Sequence, residues 1–327
     1  MKKFFAYILG ILTSISVFTA CSSGSSTPPS EVRVMALKGP TAMGMVKMMD
    51  DADAATDKHD TFTIAAAVDE VTPKLVQGEI DIAAVPANLG SVLYNSTKGA
   101  VEVLAINTLG VLYIVENGNT IQTMEDLRGK TIYASGKGAT PEYAINYLLS
   151  SNGIDPVKDV TIEWKSEHAE CVAALGAQEN AIALLPQPFV TTAQIKNPGI
   201  RMALDLNKEW DAVQDSEEAP SALLTGVVVA RREFIEKNPQ AVETFMDSYK
   251  ASVEYVNANT EEAAKLIEKY DIVSAAVATK ALPYCNITFI EGTDMKEKLG
   301  GYLAFLMEQN PKSVGGALPG DDFYYVR

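Results

Sequence analysis

The sequence predicts an α/β fold of two similar lobes, joined by two hinge strands and separated by a cleft. Residues 75–86 (LVQGEIDIAAVP) match residues 175–186 (LGAQENAIALLP), with Leu, Glu, Ile, Ala and Pro recurring at an offset of 100. Residues 38–41 (KGPT) likewise match 137–140 (KGAT) at an offset of 99. Both copies alternate short apolar strands with helical segments, which is typical of a mainly parallel sheet covered by helices. A period of this length is that of a small domain.

The elements repeat in the same order in both copies. In the first copy we predict strands at 32–37, 61–66, 80–85 and 101–108, with helices at 41–50, 70–76 and 88–94. In the second copy we predict strands at 131–134, 160–165, 181–184 and 200–206, with helices at 141–151, 168–175 and 189–196. The near-continuous apolar character of 83–85 and 101–106 indicates parallel strands that are buried on both faces.

Two β-branched runs, 110–115 and 225–230, lie outside the repeat. We expect them to carry the chain from one lobe to the other and back, paired side by side as a hinge. Gly110 and Gly226 would then tolerate the change in dihedral angles. Alternatively, both are further core strands. The expected division is 32–109 with 231–327 for one lobe, 117–223 for the other, and 110–116 and 224–230 as hinge strands. Amphipathic helices at 240–257, 263–269 and 294–307 should pack on the first lobe.

The N-terminus is typical of an export signal. Lys2 and Lys3 precede an uncharged apolar stretch at 4–18, and small residues then lead to Cys21. We interpret 1–20 as a lipoprotein signal peptide, Cys21 as the lipidated residue, and the polar segment 21–31 as a flexible tether. The alternative is an ordinary secretory signal whose cysteine is incidental.

Composition excludes several classes of protein. The chain has 327 residues and a net charge of −15, which argues against binding to nucleic acid or anionic lipid. Only Cys171 and Cys285 remain besides Cys21, too few for a disulfide scaffold. We expect both to be buried free thiols.

Candidate ligand groups follow the strands of both copies, because ligands of parallel sheets bind at the carboxyl ends of the strands. The first set lies in the two loops that match each other in the repeat: Lys38, Gly39 and Thr41, and Lys137, Gly138 and Thr140. The glycines allow close backbone approach, the Thr hydroxyls are hydrogen-bonding groups, and the lysines add positive charge. Plain turn chemistry with helix capping by Thr is the alternative. Neither loop has the spacing of a P-loop or of a dinucleotide-binding fingerprint.

A second set of candidates lies at the ends of later strands: Asn88, Asn107 and Gln187, with Glu167 and His168 after the second strand of the second copy. Cys171 lies one helical turn beyond His168, so a nucleophilic pair or half a metal site is conceivable. No third partner clusters nearby in the sequence. We therefore expect ligand hydrogen bonding at His168, with no catalysis, metal or cofactor.

Three segments carry a resemblance to a known family: 81–86 (DIAAVP), 136–143 (GKGATPEY), and 225–234 (TGVVVARREF) followed by Asn238-Pro239. With the repeat and the signal, they resemble substrate-binding proteins of ABC importers, in particular the family for nitrate, sulfonate, taurine and thiamine-pyrimidine precursors. The resemblance implies a type II periplasmic-binding fold with two Rossmann-like lobes. Some relatives make the thiamine pyrimidine with a cysteine-rich iron motif, which this sequence lacks.

The resemblance implies a monomeric, lipid-anchored extracytoplasmic protein that binds a solute between its lobes and delivers it to an ABC permease and its ATPase. We expect a small anionic or carbonyl-bearing solute, with Tyr143 or Tyr94 available to stack on a ring. The alternatives are a thiamine-pyrimidine-type heteroaromatic ligand, or a sensory lipoprotein whose cleft regulates a partner.

Overall fold

The computed structural model describes residues 31–56, 60–214 and 221–327. The predicted signal peptide, Cys21 and most of the predicted tether lie outside these residues. The strands form two sheets. The first sheet contains β1 (Val32–Leu37), β2 (Asp60–Ala65), β3 (Ile82–Pro86), β4 (Val101–Leu109), β10 (Leu224–Arg231) and β11 (Ile287–Ile290). The second contains β5 (Leu112–Glu116), β6 (Thr131–Ser135), β7 (Thr161–Lys165), β8 (Ile182–Pro186) and β9 (Arg201–Asp205).

Helices connect and cover these strands. Those of the first sheet are α1 (Pro40–Met43), α2 (Val46–Ala54), α3 (Val68–Gln77) and α4 (Ala87–Ser96). Those of the second are α5 (Thr140–Ser151), α6 (His168–Ala177), α7 (Phe189–Lys196) and α8 (Leu206–Gln214). After β10 come α9 (Arg232–Lys237), α10 (Pro239–Ala258), α11 (Thr260–Lys269), α12 (Ala275–Ala281) and α13 (Gly292–Gln309). No helix among the described residues is long and apolar enough to cross a membrane.

The two sheets have the same strand order. The first runs β2-β1-β3-β10-β4, with β11 added outside β4, and the second runs β7-β6-β8-β5-β9. In each sheet the strands of the repeat are parallel where they pair, while β10 and β5 are antiparallel to their neighbours. The repeat in the sequence is therefore a repeat of structure, and the predicted α/β fold of two lobes is confirmed.

The expectation that the two crossing strands pair side by side is wrong. β10 lies between β3 and β4 in the first sheet, and β5 lies between β8 and β9 in the second. The four residues Val227–Ala230 are fully buried, so their backbone groups need strand partners on both sides. The alternative, that both runs are core strands, is correct. The chain crosses through residues 110–111 and, among the described residues, returns through 221–223.

Two further differences concern helices. The predicted helix at 41–50 is interrupted at Gly44, whose carbonyl accepts a 2.7 Å hydrogen bond from the buried Ser252 hydroxyl of α10. The same Ser252 oxygen accepts from the backbone N–H of Met48, so one side chain bridges the break. In addition, the strand predicted at 200–206 ends at Asp205, and α8 follows it.

The C-terminal helices divide between the lobes. Phe245, Tyr249, Val253 and Val256 of α10 are buried in the core of the first lobe, as predicted. Helix α13 also packs on the second lobe. Its Phe305 ring lies 4.8 Å from the ring of Trp210 and 4.9 Å from that of Tyr147.

Candidate functional site

A cleft of about 510 Å³ lies between the carboxyl ends of the strands of both sheets. Its walls therefore come from both lobes. Of the predicted site residues, eight line it: Lys38, Gly39, Thr41, Asn88, Gly138, Thr140, His168 and Gln187. Gly110, predicted as a hinge residue, lines it too. The other lining residues are mainly apolar: Leu37, Pro40, Pro86, Val111, Leu112, Ala139, Pro141, Tyr143, Pro186, Pro188, Phe189, Leu223, Leu224, Thr225, Leu306 and Ser313.

The loop after β1 forms one wall of the cleft. Gly39 has φ 127°, a conformation that L side chains rarely adopt, and this turns the chain sharply into α1. The hydroxyl of Thr41 donates a 2.7 Å hydrogen bond to the carbonyl of Leu37. Within the described part of the chain, the ammonium group of Lys38 makes one ion pair, 3.4 Å long, with the exposed Asp271. Thr41 thus holds the loop, and Lys38 lines the cleft beside it.

The matching loop after β6 forms the opposite wall. Gly138 has φ 79°; its N–H donates to Glu142, and its carbonyl accepts a 3.0 Å hydrogen bond from the Tyr143 hydroxyl. Thr140 begins α5, and its Oγ1 lies 3.0 Å from the hydroxyl of Tyr302 in α13. Lys137 is exposed and is not among the lining residues. The two lysines of the repeat are therefore not equivalent in position.

Asn88 and Gln187 lie in the turns that follow the matching residues Pro86 and Pro186 at the ends of β3 and β8. The Asn88 side-chain amide donates a 3.0 Å hydrogen bond to the carbonyl of Ser313. The carbonyl oxygen of the Gln187 side chain accepts a 2.9 Å hydrogen bond from the Thr191 hydroxyl, and Gln187 is 2% exposed. The Gln187–Pro188 peptide bond is cis. Both side chains stabilise the turns that shape the cleft.

His168 is the first residue of α6 and lies at the cleft with its ring partly covered. Its Nδ1 is 2.5 Å from Oγ of Ser135, and its ring centroid is 4.8 Å from that of Phe189, with the planes tilted by 47°. Burial lowers the pKa of His168, because a covered site favours the neutral imidazole over the charged one. The neighbouring Glu167 is exposed and lies outside the lining.

Asn107 was predicted to face the cleft. It is instead fully buried beneath the first loop. Its side-chain amide donates a 3.1 Å hydrogen bond to the carbonyl of Thr41. Gly226 lies beside it in β10, where an added Cβ would come within 2.4 Å of Thr41 Cγ2 and 2.5 Å of Asn107 Oδ1. Close packing therefore requires glycine at this position, and a hinge role for Gly226 stays a prediction.

Of the two tyrosines predicted to stack on a ligand ring, one lines the cleft and the other does not. Tyr143 lines the cleft, whereas Tyr94 packs on Phe323 at 5.2 Å and bonds to Asp322. The sequence did not lead us to predict Phe189, which lines the cleft, or Ser135, which contacts His168. A proline-flanked aromatic in the matched loop was the available signal for Phe189, but a lone Ser at a strand end carried none.

The charge of the cleft differs from that of the whole chain. Among the described lining residues Lys38 carries the one full charge, and no carboxylate is present. This contrasts with the net charge of −15. Within the described part of the chain, no group of three or more His, Cys, Asp or Glu side chains is placed to hold a metal ion.

Residues 43–281 match the family model described as the ABC transporter phosphonate periplasmic substrate-binding protein. The chain belongs to this family. The family and the fold are those of non-enzymatic substrate-binding proteins that act outside the cytoplasm. The resemblance seen in the sequence is thereby confirmed.

Relatives of this substrate-binding family are distant in sequence. Putative binding proteins of Brucella abortus, Brucella suis and Brucella melitensis are each 22% identical over 178 residues, 54% of this chain and 52% of theirs. The match thus spans about half the length of these curated relatives.

Solved structures share the fold over most of the chain. An ABC transporter protein of Parabacteroides distasonis has a TM-score of 0.76 at 22% identity, covering 91% of this chain and 99% of that one. The periplasmic aliphatic sulphonate-binding protein SsuA of Escherichia coli has a TM-score of 0.70 at 17% identity, covering 91% and 92%. The nitrate-binding protein NrtA of Synechocystis has a TM-score of 0.51 at 15% identity, covering 75% and 67%.

Proposed function

We propose that this substrate-binding protein captures a small organic solute with an anionic head group between its lobes and delivers it to an ABC permease and its ATPase. The observation that carries the proposal is the cleft itself. It joins the Lys38 loop of one lobe to the N-terminus of α5 in the other, without a lining carboxylate among the described residues. A solute that contacts both walls stabilises their approach.

Two features favour an anionic head group. The ammonium of Lys38 supplies a positive charge at the cleft, and its 3.4 Å ion pair with the fully exposed Asp271 is screened by solvent and therefore weak. Helix α5, of 12 residues, begins at the cleft. Pro141 has no N–H, and the N–H groups of Ala139, Glu142 and Tyr143 already donate to backbone carbonyls, so the N–H of Thr140 and the positive end of the helix dipole are what this helix offers an anion. A cationic solute would meet both unfavourably.

The rest of the cleft favours an organic body. A volume of about 510 Å³ is within the ~300–1,000 Å³ range of pockets for small organic molecules, and exceeds what one inorganic anion needs. Apolar side chains such as Leu112, Leu224 and Leu306 line much of it. We therefore place organic sulfonates and phosphonates ahead of nitrate.

A flat heteroaromatic solute is the second candidate. Phe189 and Tyr143 both line the cleft, and aromatic side chains stack on planar ligands. The thiamine-pyrimidine class named with the family resemblance has this shape. It lacks the full negative charge that would use Lys38, which ranks it second.

The test is a comparison of solutes on the purified protein. Butanesulfonate, taurine, butylphosphonate, nitrate and the thiamine pyrimidine precursor are screened by thermal shift and calorimetry, with butylammonium as the charge-reversed control. We expect the butyl sulfonate or phosphonate to raise the melting temperature and to compact the protein in X-ray scattering. Stabilisation by none of the anions, or equal stabilisation by butylammonium, would overturn the proposal.

We also propose that the lobes move about residues 110–111 and 221–223. At the first connection, the N–H of Gly110 donates to the side chain of Asn207, and its carbonyl accepts from the side chain of Asn286.

We further propose that lipid on Cys21 anchors the protein to the membrane. The anchor is tested by measuring the intact mass of the detergent-extracted protein. Cys21→Ala should abolish the lipid mass and release the protein, and an unmodified Cys21 would exclude the anchor.

A further inference from the structure

A buried hydroxyl contacts the imidazole at the edge of the cleft. Ser135, the last residue of β6, is 2% exposed, and its Oγ lies 2.5 Å from Nδ1 of His168. We propose that Ser135 is a positioning residue that holds His168 in the tautomer with a proton on Nε2, so that the ring donates a hydrogen bond to solute oxygens. This inference rests on the proposed function. It assigns a specificity determinant that exists in one lobe only.

The Ser135–His168 pair is present in only one of the two copies of the repeat. By the offset of 99, Ser135 corresponds to Ala36 in the first lobe, which has no hydroxyl. By the offset of 100, His168 corresponds to Val68. Both members of the pair are thus absent from the first lobe, although the backbone there is equivalent. A polar pair confined to the lobe opposite Lys38 gives the cleft two different hydrogen-bonding ends.

The chemistry of the contact selects the direction of the hydrogen bond. If Ser135 donates to Nδ1, the proton of the ring lies on Nε2. If Nδ1–H donates to Ser135 instead, the hydroxyl proton must find another acceptor, and the neighbouring thiol of Cys171 is a poor one. Burial raises the pKa of Cys171, and a hydrogen bond to Ser135 offsets part of that rise, which places the thiol beside the hydroxyl. An imidazole nitrogen is the better acceptor, so the first arrangement is the stable one.

The surroundings keep the ring in this orientation. Phe189 covers the imidazole at a centroid distance of 4.8 Å, and Ser135 occupies Nδ1. Nε2 has no hydrogen-bond partner among the described residues, and His168 lines the cleft. Nε2–H is therefore the polar group that the ring offers to a ligand. A neutral N–H group donates to sulfonate, phosphonate, carboxylate or carbonyl oxygens and disfavours ligand groups that can only donate.

The tautomer can be measured without any ligand. The chain has two histidines, so His59→Gln leaves His168 as the single imidazole in the full chain. Long-range ¹⁵N–¹H correlation at about pH 8, where the ring is neutral, distinguishes a protonated from an unprotonated ring nitrogen. We expect Nε2 to be protonated and Nδ1 unprotonated, and Ser135→Ala to convert this to a mixture. A protonated Nδ1, or a tautomer that ignores Ser135→Ala, would overturn the inference.

Affinity supplies the second readout, with butanesulfonate and butylphosphonate as probes. Losing one hydrogen bond of typical strength weakens binding by roughly three- to tenfold, and we expect this from Ser135→Ala. His168→Gln keeps an N–H donor without needing Ser135, so Ser135→Ala should cause no further loss in that background. An equal loss in both backgrounds would show that Ser135 acts only on packing and would overturn the inference.

Ser151→Ala, at an exposed serine of α5, is the matched Ser→Ala control. It should bind both probes like the parent protein. If neither probe binds the parent protein, the anionic solute class fails. The tautomer measurement then still decides the role of Ser135, so the two failures are distinguishable.

Discussion

The hydroxyl of Tyr302 lies 3.0 Å from Oγ1 of Thr140, although the two residues are 162 positions apart. Tyr302 belongs to α13, and Thr140 begins α5 at the cleft. Nearby, Phe305 of α13 packs edge-on against Trp210 of α8. The C-terminal helix α13 is therefore attached to the second lobe, which the chain leaves after α8. Any movement of the lobes must carry α13 with the second lobe or break this contact.

The aromatic contact should carry much of the attachment of α13. Trp210 is fully buried, and truncation of a buried aromatic residue to Ala costs about 3–5 kcal/mol. We therefore expect Trp210→Ala to lower the free energy of unfolding by about that amount in urea denaturation. Val157→Ala is the control, because that apolar side chain is 85% exposed and should change stability by about 0.5 kcal/mol or less. Similar effects of both variants would contradict this assignment.

A buried ion network makes stability sensitive to acid. Asp81, 2% exposed, accepts hydrogen bonds from Arg33 at 2.7 and 2.8 Å and from Arg231 at 2.7 Å. Burial acts to raise the pKa of Asp81, but the hydrogen bonds from both arginines outweigh it and hold the pKa below its usual value. The folded carboxylate thus stabilises the protein above about pH 4, the unfolded pKa. That stability is lost as the pH falls through the lowered folded pKa.

Asp81→Asn should lower the free energy of unfolding at neutral pH by about 3–5 kcal/mol, since it leaves two partly buried guanidinium groups without their anion. It should also flatten the loss of stability between neutral and acid pH, as measured by urea titrations at several pH values. The fully exposed Asp271 provides the control, and Asp271→Asn should change stability by about 0.5 kcal/mol or less. An unchanged acid profile in Asp81→Asn would refute the network as its source.

The two lysines of the repeat should differ in ligand binding. Lys38 lines the cleft and Lys137 does not. A hydrogen bond to a charged group contributes about 1.5–3 kcal/mol, so Lys38→Ala should weaken butanesulfonate binding by roughly ten- to a hundredfold. Lys137→Ala should change it about twofold or less, through long-range charge that salt screens. Calorimetry at two salt concentrations measures the affinity of both variants. Equal losses of affinity would contradict the prediction that Lys38, and not Lys137, contacts the ligand.

The two core cysteines should be inert in the folded protein. Cys171 and Cys285 are free and fully buried, and burial raises the pKa of Cys285 to about 12. Thiolate, the reactive form, is therefore scarce. In a Cys21→Ala background, we expect no reaction with a thiol reagent under native conditions and two equivalents in denaturant. Rapid native labelling of either thiol would show that the cores open readily.

Much of the fold was predictable because strand and helix periodicity is local. The positions of β1, β3, β8 and α10 follow from their apolar patterns within a few residues. The break at Gly44 was not predictable, because it depends on Ser252, which lies 208 residues away in the chain. Likewise, β10 and β5 carry the same pattern whether they pair with each other or with the strands of separate sheets.

The candidate site divides in the same way. The sequence by itself determined that two repeated units place matching loops at one cleft, because loop position follows from strand order. It could not distinguish Lys38 from Lys137, or reveal that Asn107 supports the Thr41 loop from beneath. Only the tertiary structure decided which of these side chains reach the cleft, and it alone joined Ser135 to His168. The physical reason is that exposure and hydrogen bonding depend on residues from distant parts of the chain, which no local pattern encodes.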